Sequence, residues 1–74
     1  MIMPGDVIVH CTAGGVRFLV VAVQAFSRSK YLLLLYRDRF ITRDLISVMG
    51  WLTCDMGYTL FRNGRPVTVV TNVV

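Results

Sequence analysis

Two stretches of this chain are apolar at every position, and they limit the fold more than any other feature. Phe18-Leu19-Val20-Val21-Ala22-Val23 and Tyr31-Leu32-Leu33-Leu34-Leu35-Tyr36 run six residues each. A transmembrane helix takes about 20 consecutive apolar residues, so neither is a transmembrane helix. Their length and their β-branched and aromatic content read as buried strands. An antiparallel strand with one wet face alternates apolar and polar side chains; these two do not alternate. A domain of 74 residues can bury one face of such strands but hardly both. The outer face is then left for a second copy or a partner chain, because large apolar patches are rare on monomers. The expectation is a homo-oligomer, a dimer or larger, joined through Val16–Phe26 and Tyr31–Arg37 or through the C-terminal strand.

Turn signals divide the rest of the chain into short pieces. Pro4-Gly5, Ala13-Gly14-Gly15, Ser27-Arg28-Ser29-Lys30, Asp55-Met56-Gly57 and Arg62-Asn63-Gly64-Arg65 separate runs rich in Val, Ile, Leu, Thr, Tyr and Phe. That spacing predicts a small all-β barrel or sandwich. The first strand, Asp6 to Cys11, sets Val7, Val9 and Cys11 on one face and Asp6, Ile8 and His10 on the other. Asn63-Gly64 is the strongest hairpin signal, since a type I′ turn needs positive φ at both central residues. It joins Tyr58–Phe61 to Val67–Thr71. Pro66 beside it costs least on an edge strand.

One short helix is predicted from Arg43 to Met49. Thr42 serves as its N-cap, and Asp44 lies in the first turn, where the helix dipole favours an anion. Ile41 and Ile46 sit at the positions of a hydrophobic staple, and Gly50 ends the helix. Leu45, Ile46 and Met49 share a face that would plug one end of a barrel. At two turns the helix depends on tertiary packing.

Composition narrows the class. The chain is 55% hydrophobic and 16% charged, with a net charge of +4; an average domain is about 45–50% apolar and about 25% charged. It is too apolar for a disordered tail and too short for a large enzyme, so residues 1–74 are read as a single domain. The N-terminus, Met1-Ile2-Met3-Pro4-Gly5-Asp6, carries neither the basic nor the apolar segment of a secretory signal. The expected compartment is the cytoplasm, where Cys11 and Cys54 are free thiols by default.

Catalysis finds little support. His10 and Cys11 are neighbours on a strand and point to opposite faces, so they cannot act as a pair. His10 with Cys54 would need the fold to join them. Asp6 and His10 share a face but lie about 13 Å apart along a strand. Zinc wants four Cys or His ligands in close pairs, and two Cys and one His do not supply them. Gly14-Gly15 lacks both the Walker spacing and the dinucleotide fingerprint. No catalytic residue, metal or cofactor is expected. The basic residues, seven Arg and one Lys, have a plain reading as solvated turn residues. Tyr31, Tyr36, Phe40 and Trp51 are the candidates for stacking if those arginines meet a nucleic acid.

Gly5-Asp6-Val7-Ile8, followed by Gly14-Gly15-Val16-Arg17-Phe18-Leu19-Val20, resembles the opening of short bacterial and phage proteins with an SH3-like barrel. The resemblance covers about the first 20 residues. It implies a fold and no activity. The combined expectation is a mainly β domain, a five-stranded antiparallel SH3-like partly open barrel with one short helix. The expected function is a non-enzymatic protein-interaction factor, an accessory protein of a phage or mobile element that binds and modulates, or inhibits, a host protein complex. Its partner-binding residues would be Arg37, Arg39, Phe40, Arg43, Trp51 and Tyr58, because Arg, Trp and Tyr dominate binding hot spots. The alternative is a small basic nucleic-acid-binding barrel using Arg28, Lys30, Arg37, Arg39, Arg62 and Arg65.

Overall fold

The computed structural model describes residues 1–11, 14–54 and 56–69. Over these residues the chain is mainly β with one short helix. In order it forms β1 (Val7–His10), β2 (Val16–Phe26), β3 (Ser29–Tyr36), β4 (Arg39–Asp44), α1 (Leu45–Thr53), β5 (Tyr58–Arg62) and β6 (Arg65–Val67). Six strands make one antiparallel sheet in the order β4-β3-β2-β1-β5-β6. The expected number of strands was five, and the sheet is open, with β4 and β6 at its two edges.

The unexpected strand is β4. Arg39 to Asp44 pairs with β3 along its whole length, from Tyr36 opposite Arg39 to Tyr31 opposite Asp44. The connection is the two-residue turn Arg37-Asp38, and Arg37 takes a φ of +57°. A glycine or asparagine usually marks such a turn, and its absence hid the hairpin. The helix therefore starts later than expected, at Leu45, and extends past Gly50 to Thr53. Its N-cap is Asp44, not Thr42: the Asp44 carboxylate accepts from the Ser47 N–H at 3.4 Å. Arg43 belongs to β4. Ile46 is 79% exposed, so neither the staple with Ile41 nor the Leu45-Ile46-Met49 plug forms. The buried helix residue is Val48, with Leu45, Met49, Trp51 and Leu52 packed around it.

The Asn63-Gly64 turn matches its expectation, but the strand after it is Arg65–Val67, and Thr68 and Val69, expected within it, lie beyond its end. Asn63 and Gly64 have φ values of +53° and +77°, as a type I′ turn requires. Arg62 faces Arg65 across it, and Phe61 faces Pro66. Paired positions alternate between hydrogen-bonded and non-bonded, so Pro66 falls where its nitrogen turns outward from edge strand β6. The turn at Ala13-Gly14-Gly15, the turn at Asp55 and the expected strand end at Val70-Thr71 lie partly outside the described residues.

Cross-strand partners point to the same side of a sheet, so the register assigns every side chain to a face. The face under α1 carries Ile8, Val20, Leu32, Leu34 and Leu60, all 1% exposed or less, and Val48 of α1 closes over them. Ile2 joins this core from the N-terminal segment. The opposite face carries Val7, Val9, Leu19, Val21, Leu33, Leu35, Phe40 and Phe61, and no element among the described residues is laid over it. A register shift between Val20 and Ala22 marks a bulge at Val21, which bends the long strand β2. The two all-apolar stretches are thus inward at Phe18, Val20, Val23, Leu32, Leu34 and Tyr36 and outward at Leu19, Val21, Leu33 and Leu35.

Candidate functional site

The helix side of the sheet collects a row of aromatic rings. His10 and Tyr58 are register partners on β1 and β5, and their rings meet edge to face at 4.4 Å. Trp51 of α1 stacks on Tyr58 at 5.1 Å and reaches Phe18 of β2 at 6.2 Å. Phe18 lies 5.1 Å from Tyr36 of β3. The Arg37 guanidinium ends the row, 5.5 Å above the Tyr36 ring, within cation–π range. The order of strands creates this row: β5, β1, β2 and β3 are adjacent, and each presents one ring on the same face.

At the Arg37 end the row opens into a cleft of about 570 Å³. Its floor is Phe18, Tyr36 and Ile41, all half-buried. Its rim is Arg37 and Asp38 of the turn, with Arg39 and Arg43 of β4. Alternation along β4 places Arg39, Ile41 and Arg43 on the same face. One Arg43 N–H is used on the Thr42 carbonyl at 3.0 Å. All three arginines are exposed, and among the described residues the rim carries three cations against the carboxylate of Asp38.

The structure divides the expected partner-binding set. Arg37, Arg39 and Arg43 come together in the cleft. Phe40 is 64% exposed but points to the opposite, open face. Trp51 and Tyr58 are half-buried in the aromatic row, where they tie α1 to the sheet. The alternative set is dispersed further. Arg28 and Lys30 stand at the other end of β3 from Arg37, about 25 Å away along the strand. Arg65 is on the far edge strand, β6. Phe18 and Ile41 were not anticipated; their inward direction becomes visible only from pairing with Ile8 and Leu34.

Arg62 is engaged inside the fold. Its Nε and Nη2 donate to the two carboxylate oxygens of Asp6, both at 2.8 Å, and Nη2 also donates to the Met1 carbonyl at 2.6 Å. Asp6 is 1% exposed and accepts a further bond from the Met3 N–H at 2.8 Å. The Arg62 hydrogen bonds hold the Asp6 carboxyl below the usual carboxylate range, against the upward push of burial, with help from the Met3 N–H. The Asp6 bonds in turn raise the Arg62 pKa. The pair locks the N-terminal segment onto β5.

The groups weighed for catalysis have the following neighbours. His10 packs on Tyr58. Cys11 donates its S–H to the Gly57 carbonyl at 3.1 Å, and Cys54 follows the end of α1, where it approaches the Thr53 hydroxyl at 3.9 Å. Among the described residues no group of three or more His, Cys, Asp or Glu is placed to hold a metal ion, and no helix is long and apolar enough to cross a membrane. Comparison with protein-family models, with curated proteins and with solved structures finds no match.

Proposed function

We propose that this protein is a non-enzymatic interaction module whose working surface is the open face of the sheet. It rests on an apolar face that no element among the described residues covers. Leu19 and Val21 are each 38% exposed, Phe40 is 64% and Phe26 is 76%, on strands whose other side forms the core. Two grooves lie on the same face, about 540 Å³ beside Phe26, Tyr31 and Thr42 and about 300 Å³ beside Val7, Val9 and Phe61. Burying such surface contributes about 25 cal/mol per Å², enough to drive association once a partner fits.

The first occupant we propose is a second copy of the chain. Charge supports it. All eight basic residues are among those described, and of them only Arg17 lies on the open face by register. Arg39, Arg43, Arg62, Arg65 and Lys30 point to the helix side, and Arg28 and Arg37 sit in turns. Two chains of net charge +4 therefore meet through this face with few like charges opposed. The wider reading, an accessory factor that binds and modulates another protein complex, draws on the same surface. We also infer that the bulged β2 curls the sheet towards an SH3-like partly open barrel.

Substitution on this face tests the proposal. Val21→Glu introduces a charge at a position already in contact with solvent, so the fold is expected to tolerate it. Sedimentation velocity at micromolar concentration should show the assembly of the unmodified chain lost in Val21→Glu and retained in Ile46→Glu, which alters an exposed helix position instead. Equal sedimentation of all three chains would remove the open face from the interaction.

A further inference from the structure

We infer that the cleft at the β3–β4 turn is a binding site for a phosphate-bearing planar ligand, a nucleotide unit, most simply within single-stranded nucleic acid. The site is independent of the open sheet face and on the other side of the sheet. Three features converge on it. The first is charge: Arg37, Arg39 and Arg43 rim one cleft, and Asp38 is the one carboxylate beside them among the described residues. Guanidinium groups match phosphate oxygens in a planar fork, and among the described residues the one hydrogen bond of these side chains is that of Arg43 to the Thr42 carbonyl.

The second feature is the floor. Phe18 and Tyr36 are half-buried and set side by side at 5.1 Å, so they form an apolar wall. Bases stack on such walls regardless of sequence. Arg37, held above Tyr36, extends the wall with its own planar group. An acidic peptide would use the arginines but leave the aromatic floor idle, and for this reason the nucleotide is favoured. The third feature is size. About 570 Å³ falls within the roughly 300–1,000 Å³ of small-ligand sites. The proposal also rearranges the charges expected from sequence: Arg37, Arg39 and Arg43 bind, whereas Arg62 is committed to Asp6, and Arg28 and Lys30 are too distant.

Fluorescence anisotropy of a labelled single-stranded oligothymidylate with the full chain tests this. Binding should weaken with salt with a log–log slope of about −2 for three phosphate contacts. Arg39→Gln and Arg43→Gln should each weaken it about tenfold, whereas Arg28→Gln with Lys30→Gln should leave it within about twofold, their side chains being screened at that distance. Arg37→Gly provides a variant that keeps the fold, since glycine adopts the positive φ of this turn readily; its thermal melting should be nearly unchanged and its binding reduced. Competition identifies the source of the ligand. Displacement by a nucleoside monophosphate points to free nucleotides, and displacement by unlabelled oligonucleotide alone points to a strand; both support the site. No binding at low salt would overturn it. So would equal displacement by polyglutamate or inorganic phosphate, or a loss confined to the Arg28 and Lys30 variant.

Discussion

Replacing Leu34 with alanine is expected to lower the stability of the chain by about 3 kcal/mol, the largest effect of any single substitution considered. Large-to-small changes at buried Leu cost about 2–5 kcal/mol, from lost transfer free energy and from the cavity left behind. Leu34 is completely buried, pairs with Val20 and Ile41 on its two neighbouring strands, and lies on the face closed by Val48. Rigid sheet positions on both sides limit how far the site can collapse, which places the cost in the middle of the range. A chain of this length has a total stability of about 4–11 kcal/mol. The melting temperature in a thermal scan should fall by roughly 15 °C. Leu33→Ala, one residue away but on the open face, should cost much less in a monomer. Equal losses for the two, at dilutions where the chain is monomeric, would contradict the assignment of faces.

Removing the charge of Asp6 is the second large effect. Asp6→Asn keeps a carbonyl oxygen of similar shape but replaces charge-assisted hydrogen bonds with neutral ones. Hydrogen bonds to charged groups contribute about 1.5–3 kcal/mol, so a loss of about 2 kcal/mol and roughly 10 °C in melting temperature is expected. The pair also makes stability depend on pH. The folded-state pKa of Asp6 lies below the unfolded value, which is about 3.9. Between those two values the unfolded chain binds the proton and the folded chain does not, so stability rises with pH there. The contribution is fully present above the unfolded pKa and is lost as pH falls through the folded one. Urea unfolding from pH 6 down to pH 2 should therefore show an acid loss in the unmodified chain that is smaller in Asp6→Asn. Parallel curves for the two would show that the pair does not control the acid limb.

The sheet was readable where local rules act alone. Alternation located β1, the all-apolar stretches located β2 and β3, and Asn63-Gly64 located the hairpin of β5 and β6. Strand β4 was not readable for a specific reason. Thr42-Arg43-Asp44 before Leu45 resembles a helix start, and Asp44 does cap the helix, but only after ending a strand. The Arg37-Asp38 turn carries no glycine, so nothing announced that the chain folds back there. The Asp6–Arg62 pair joins residues 56 positions apart, a separation that local patterns cannot register. One hint existed: Asp6 alternates with Ile8, and a carboxylate sharing a buried face needs a partner. The cleft was half visible. Its arginines cluster in the sequence, whereas Phe18 reaches them only through the order of strands.

The excess of apolar residues lies on one open face, and we propose that another chain covers it. Light scattering coupled to gel filtration, on the unmodified protein at micromolar concentration, tests that claim most directly. A mass of about 17 kDa or more, at least twice the 8.4 kDa chain, is expected where oligomerisation completes the core of a small domain. A single species at 8.4 kDa would contradict it.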